Sequence, residues 1–264
     1  MFGEVLYGIN EWILFAAFLA CLFAAIEIGF LLGRRVRSVI DDRARSHVNM
    51  IQAAVLGMLA LLLGFTFSMS MSRFETRKQL VLEESNAIGT TFLRAQLLPE
   101  PQRTEVSNLL RDYVGIRLDF YRAGIDPVML RQANEKTEQA HREIWSRAVA
   151  VGKKDPRAVT TGVFIQSLNE MIDLHAKRMT ALENHVPEVI FILLYLVSIL
   201  TLGMVGYGCG LGTRRNLLMT MTAAFLIASI VLVIVDLDRP RRGLVQVSQQ
   251  RLIDLQESLR RPFP

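Results

Sequence analysis

Side chains that recur every three or four residues carry the most specific chemistry in this sequence. Gly57, Leu61, Phe65, Ser68, Ser72, Thr76, Gln79, Glu83, Asn86 and Thr90 fall on one face of a helix with 3.6 residues per turn. The stripe starts small or apolar and turns to hydroxyl, amide and carboxylate. That is how a helix lining a water-filled path with an apolar constriction would be written. A helix that packs through small residues, Gly57 and Gly64, and shows its polar side to water would carry the same pattern.

Other reactive groups are scattered. Glu27 lies inside an apolar run, where a carboxylate costs a few kcal/mol and marks a functional position by default. Its alternative role is to snorkel towards the interface near Arg34 or to make an interhelical hydrogen bond. Asp236, Asp238, Arg239, Arg241 and Arg242 crowd a membrane boundary, where they could pair with one another, bind a lipid phosphate, or simply end a span. Cys21 and Cys209 have no paired spacing, which points to buried thiols more than to a disulfide or a metal site. The sequence contains no HExxH, no GxSxG and no phosphate-cradling glycine loop. His141 and Glu143 are two apart and share no helix face, and His47, His175 and His185 have no partner identifiable from spacing. These features argue against an enzyme and imply no cofactor and no bound metal.

The elements that must position these residues follow from hydropathy. The chain has 264 residues, 51% of them apolar, and about 20 apolar residues cross ~30 Å of hydrocarbon. Four runs qualify: Trp12–Leu32, Ile51–Met71, Val189–Tyr207 and Leu217–Val235. The first run lacks a positive flank before it and is bounded by Arg34, Arg35 and Arg37 after it, so it is a retained span rather than a cleaved leader. The net charge of +5 is spread along the chain, which argues against a nucleic-acid partner.

Between the inner pair of spans, residues 73–186 form an extramembrane helical bundle. Leu97-Leu98-Pro99-Glu100-Pro101 breaks the long second helix, a helix follows over Gln102–Arg122, and Asp126-Pro127 opens another that runs to about Val151. A further helix covers Arg157–Asn184, after which Pro187 either separates it from span three or kinks one long helix. The tail, 236–264, carries a short amphipathic helix, Ser248–Arg260, with Leu252, Leu255 and Leu259 on one side. The expected architecture is therefore all-α: transmembrane helices 1 and 2 within 1–72, the bundle, transmembrane helices 3 and 4 within 187–235, and the tail. Arg residues of Arg34–Asn49, with Arg214 and Arg215, would put those short connections in the cytoplasm, whereas Arg73, Arg77, Lys78, Arg239, Arg241 and Arg242 favour the opposite sidedness.

Leu62-Leu63-Gly64-Phe65, with Ser68, Ser70, Arg73 and Arg77-Lys78, resembles the pore helix of the bestrophin channels. Asp238, Pro240 and Gly243 are similar to the acidic Pro/Gly segment after their last span, and the order of two spans, helical block, two spans and helical tail agrees. The chain looks more closely like the membrane proteins described as bestrophin-like domain proteins. The resemblance implies a homo-oligomeric ring, usually of five subunits, with span two around a central pathway for monovalent ions. Leu61 and Phe65 would form its apolar neck, Gly57 would take the third neck position, and the helical block would be cytoplasmic. Ser68, Ser72, Thr76, Gln79, Glu83 and Asn86 would line the wetted part of the path, with Glu83 supplying a carboxylate ring that favours cations. No acidic run resembles the calcium clasp of the animal proteins, so calcium gating is not implied, and Arg241 and Arg242 stand where an aromatic residue is expected. The expected function is an oligomeric ion channel in the inner (plasma) membrane of a bacterium. The competing expectation is a membrane-anchored scaffold or sensor that binds a partner through its bundle.

Overall fold

The computed structural model describes residues 10–154, 159–212 and 216–261. Arg214 and Arg215, on which part of the sidedness argument rests, and Arg157, the expected start of the helix to Asn184, lie outside the described residues. In chain order the helices are α1 Glu11–Val36, α2 Asp42–Ala95, α3 Gln102–Arg122, α4 Pro127–Lys154, α5 Val159–Glu183, α6 Glu188–Leu211, α7 Leu217–Asp238 and α8 Gln250–Arg260. Among the described residues four are long and apolar enough to cross a membrane: α1, α2, α6 and α7. The chain is an all-α integral membrane protein. Helix α6 begins as a separate element after Pro187, because residues 184–187 are non-helical.

Local chemistry sets the helix ends. Asn10 accepts the Trp12 N–H at 2.9 Å to cap α1, and Arg34 and Arg35 sit in its last turn, opposite the partial negative charge there. Asp126 accepts from the N–H groups of Val128 and Met129 at 2.9 and 3.1 Å, the acidic cap expected before Pro127. After α3 the backbone turns through Gly124 at φ 56°, a left-handed conformation that glycine adopts without a Cβ penalty.

The chain divides into two compact units, 1–73 with 185–239 and 74–184 with 240–264. In the first, α1 buries Phe18, Leu22, Ile26, Gly29 and Gly33, and its principal partner is α6. A Cβ at Gly29 would overlap the Gly203 carbonyl, one at Gly206 the Ile26 carbonyl, and one at Gly210 the Phe30 carbonyl. Two small-xxx-small faces thus bring two backbones together, where dispersion has to act without hydrophobic help. The expectation that Gly57 and Gly64 provide such packing is not met within the chain, since a Cβ at either would meet nothing within 4 Å. The contact glycines are on α1 and α6.

The cysteines also differ from expectation: Cys21 is exposed and Cys209 is half-buried. Cys21 precedes Leu22 of the buried α1 stripe, and a helix turns about 100° per residue, so it falls on the outward side. In the second unit α3, α4, α5, α8 and the later part of α2 share a core that includes Ile88, Leu110, Val114, Ile144, Phe164, Leu168 and Leu252.

Candidate functional site

Helix α2 has two faces with different fates. Leu59, Leu63, Thr66, Ser70, Arg77, Val81, Glu84, Ile88 and Ala95 are buried, and Thr66 returns its hydroxyl hydrogen to Leu62 O at 2.7 Å, so it exposes no unmet donor in an apolar setting. The opposite face is uncovered: Leu61 is 64% and Phe65 71% accessible. Gly57, Ser68, Ser72, Thr76, Gln79, Asn86 and Thr90 are exposed as well, and Glu83 is half-buried. Nine of the ten stripe residues therefore lie where the chain leaves α2 open, and Glu83 is partly covered.

The charges along the stripe can be assigned. Gln79 donates to the Glu83 carboxylate at 3.1 Å. Lys78 lies 3.4 Å from Glu75, and Arg77 turns inward, its Nε and Nη2 donating to the carbonyls of Ala181 and Asn184 at 3.0 and 2.9 Å, which closes the C-terminal end of α5. Glu83, Asn86 and Thr90 continue into a polar groove of about 670 Å³ between α2 and α5, whose other charged residues are Glu170, Asp173 and Lys177. Three carboxylates against one ammonium make that groove acidic.

The residue beside Glu83 carries no signal in the spacing of the sequence. Glu84 is fully buried and pairs with Arg117 Nε at 2.7 Å and with Arg178. Arg178 also donates to Gln249. Burial pushes the Glu84 carboxyl up, but the two guanidinium charges and their hydrogen bonds outweigh it and hold its pKa below the ordinary carboxylate value. Next to this pair stands an aromatic and imidazole cluster. His141 Nε2 lies 3.0 Å from the Tyr113 hydroxyl, and its ring meets His175 edge-on at 5.2 Å. Burial and the Arg117 charge lower His141 to about 4 and His175 to about 3, so both rings are neutral at physiological pH. Each histidine lacks a partner in sequence spacing; their partners come from other helices of the bundle.

The remaining candidates occupy separate places. Glu27 is half-buried on α1. Asp238 is buried, both its oxygens accept the Val186 N–H at 3.1 Å, and it therefore serves the entry to α6. Arg239 approaches Glu11 at 3.4 Å, and Asp236 is buried. Arg241 donates to Gly124 O at 3.1 Å and stacks over the Phe120 ring at 4.3 Å, while Arg242 is half-buried.

Comparison with known proteins agrees with this architecture. The family model described as the bestrophin-like domain matches residues 20–252. A crystal structure of a bacterial bestrophin homologue from Klebsiella pneumoniae is similar over 91% of this chain and 96% of its own, with a TM-score of 0.64 and 15% identity. A single-substitution variant of that homologue matches over 90% and 96% with a TM-score of 0.61 and 14% identity. No curated protein matches the chain.

Proposed function

Since the chain belongs to the bestrophin-like domain family, we propose that it works as an oligomeric ion channel whose pathway is walled by copies of α2 around a common axis. The observation that carries this reading is the uncovered stripe: one face of α2 is buried from Leu59 to Ala95, and the other is left open from Gly57 to Thr90. Leu61 and Phe65 form the neck, where an apolar ring excludes water and ions until it widens, and Gly57 continues the neck with no side chain to narrow it. Ser68, Ser72, Thr76, Gln79, Glu83 and Asn86 line the wetted remainder. Five copies complete the ring, monovalent ions are the cargo, and the inner membrane of a bacterium is the site of action. Preference for cations is supported by Glu83 and the neighbouring Glu170 and Asp173.

Ion flux from liposomes holding the purified protein tests the proposal. Phe65→Ala should raise the flux several-fold, because a shorter side chain lowers the dewetting barrier, and Glu83→Gln should reduce cation preference in the same assay. A parent protein that passes no ion at any tested pH or salt favours the scaffold reading, with a partner on the bundle. Unchanged flux in Phe65→Ala, accompanied by lower stability, makes Phe65 a packing residue and contradicts the neck.

A further inference from the structure

The bundle holds a cavity that an α2 pathway does not use. Its volume is about 30 Å³, and its walls include Arg77, Arg178 and Arg241 together with the apolar side chains of Val81, Leu182 and Val247. One water needs ~10–15 Å³ of such space, so the cavity admits a few heavy atoms.

Its charge is unbalanced. The Glu84 carboxylate serves both Arg117 and Arg178, leaving that buried trio with one net positive charge. Arg117 is fully buried and does not itself line the cavity; it lies 4.9 Å from the centroid of the Phe120 ring that does, and its Nη1 and Nη2 have no hydrogen-bond partner among the described residues. Arg241 adds a further cation on the cavity wall. Its Nη1 meets the carbonyls of Gly124 and Phe120 at 3.1 and 3.5 Å, which supply only the partial charge of a helix end. Burial together with the Arg178 and Arg117 charges lowers Arg241 to about 10, the direction that mutual repulsion among guanidiniums gives. A buried interior with surplus cations is stabilised by any anion that can enter.

We propose that this cavity is a binding site for a small monovalent carboxylate, of the size of acetate or propionate, paired with Arg178 and Arg241 and resting its short apolar body on Val81, Leu182 and Val247. A planar carboxylate matches the guanidinium fork, and the apolar walls suit a methyl or ethyl group better than the hydration shell of a halide. The site is independent of the pore and stands or falls without it.

The test is thermal denaturation of the full-length protein in detergent, titrated with sodium propionate at constant ionic strength. The midpoint of the parent should rise with propionate and saturate, and sodium gluconate, equal in charge and too large for the cavity, should leave it unmoved. Arg241→Gln should weaken the response at least about tenfold, the scale of a charge-assisted pair. Leu182→Phe, which fills the cavity and alters no charge, should abolish it and decides the matter if Arg241→Gln fails to fold. No midpoint shift in the parent, an equal shift from gluconate or from sodium chloride, or a propionate response unchanged in either variant would overturn the site.

Discussion

Replacing Glu84 by Gln should destabilise the protein by about 3–5 kcal/mol, because it leaves Arg117 and Arg178 buried without their counter-charge. The same change one residue earlier, at half-buried Glu83, should stay within about 0.5 kcal/mol; chemical denaturation in detergent micelles checks both. Face counting separates these neighbours, since residues 100° apart on α2 meet different surroundings, and it places Glu83 on the exposed stripe. It gives no sign of what Glu84 meets, because Arg117 and Arg178 come from 33 and 94 residues away. The histidines make a second residue-scale prediction. His141 and His175 have folded pKa values near 4 and 3, below the ordinary 6.5, so the unfolded chain binds their protons first. The stability they contribute is complete above about pH 6.5 and is lost as pH falls towards 4 and then 3. Glu84, also lowered, adds to the loss at the acidic end. Midpoints measured from pH 7.5 down to 4.5 should fall steeply below 6.5 in the parent and less steeply in His141→Gln, His175→Gln; parallel curves would show that the imidazoles are not buried neutral.

At the scale of elements, the α1–α6 contact depends on the absence of side chains. Gly206→Val puts methyl groups where the Ile26 carbonyl lies, so it should lower the thermal midpoint by several degrees or abolish folding, as overpacking of a close backbone contact does. Gly64→Ala, where an added Cβ meets nothing within 4 Å, should be neutral or gain about 0.5–1 kcal/mol in helix propensity. Equal losses in the two variants would mean that the glycines act through the backbone alone. Both GxxxG spacings, Gly29 to Gly33 and Gly206 to Gly210, are present in the sequence, but a spacing does not name its partner helix. The helix limits were far more legible. Pro99, Pro101, Asp126-Pro127 and Pro187 interrupt the chain by local sterics and capping that need no tertiary partner, and the helices over Gln102–Arg122 and after Asp126 form as their spacing predicts.

For the whole molecule, hydropathy alone identifies the four spans, because the bilayer imposes a length that few soluble helices share. What the sequence could not supply is which helix faces pack together, and so which face of α2 remains open. Burial provides that: the surface of α2 that the chain covers carries the Glu84 ion pair and the Leu59–Leu63 contacts, and the surface it leaves bare carries the candidate neck. A bare apolar pair such as Leu61 and Phe65 must meet either lipid or copies of itself, and the polar residues that follow on the same face suit water better than lipid. Single-particle imaging of the purified assembly, at a resolution that shows side chains, distinguishes the two most directly. A pathway walled by α2 requires a ring of copies with every Leu61 and Phe65 pointing at one central axis and an opening continuous with Glu83; side chains turned outward to detergent, with no opening along the axis, would contradict it.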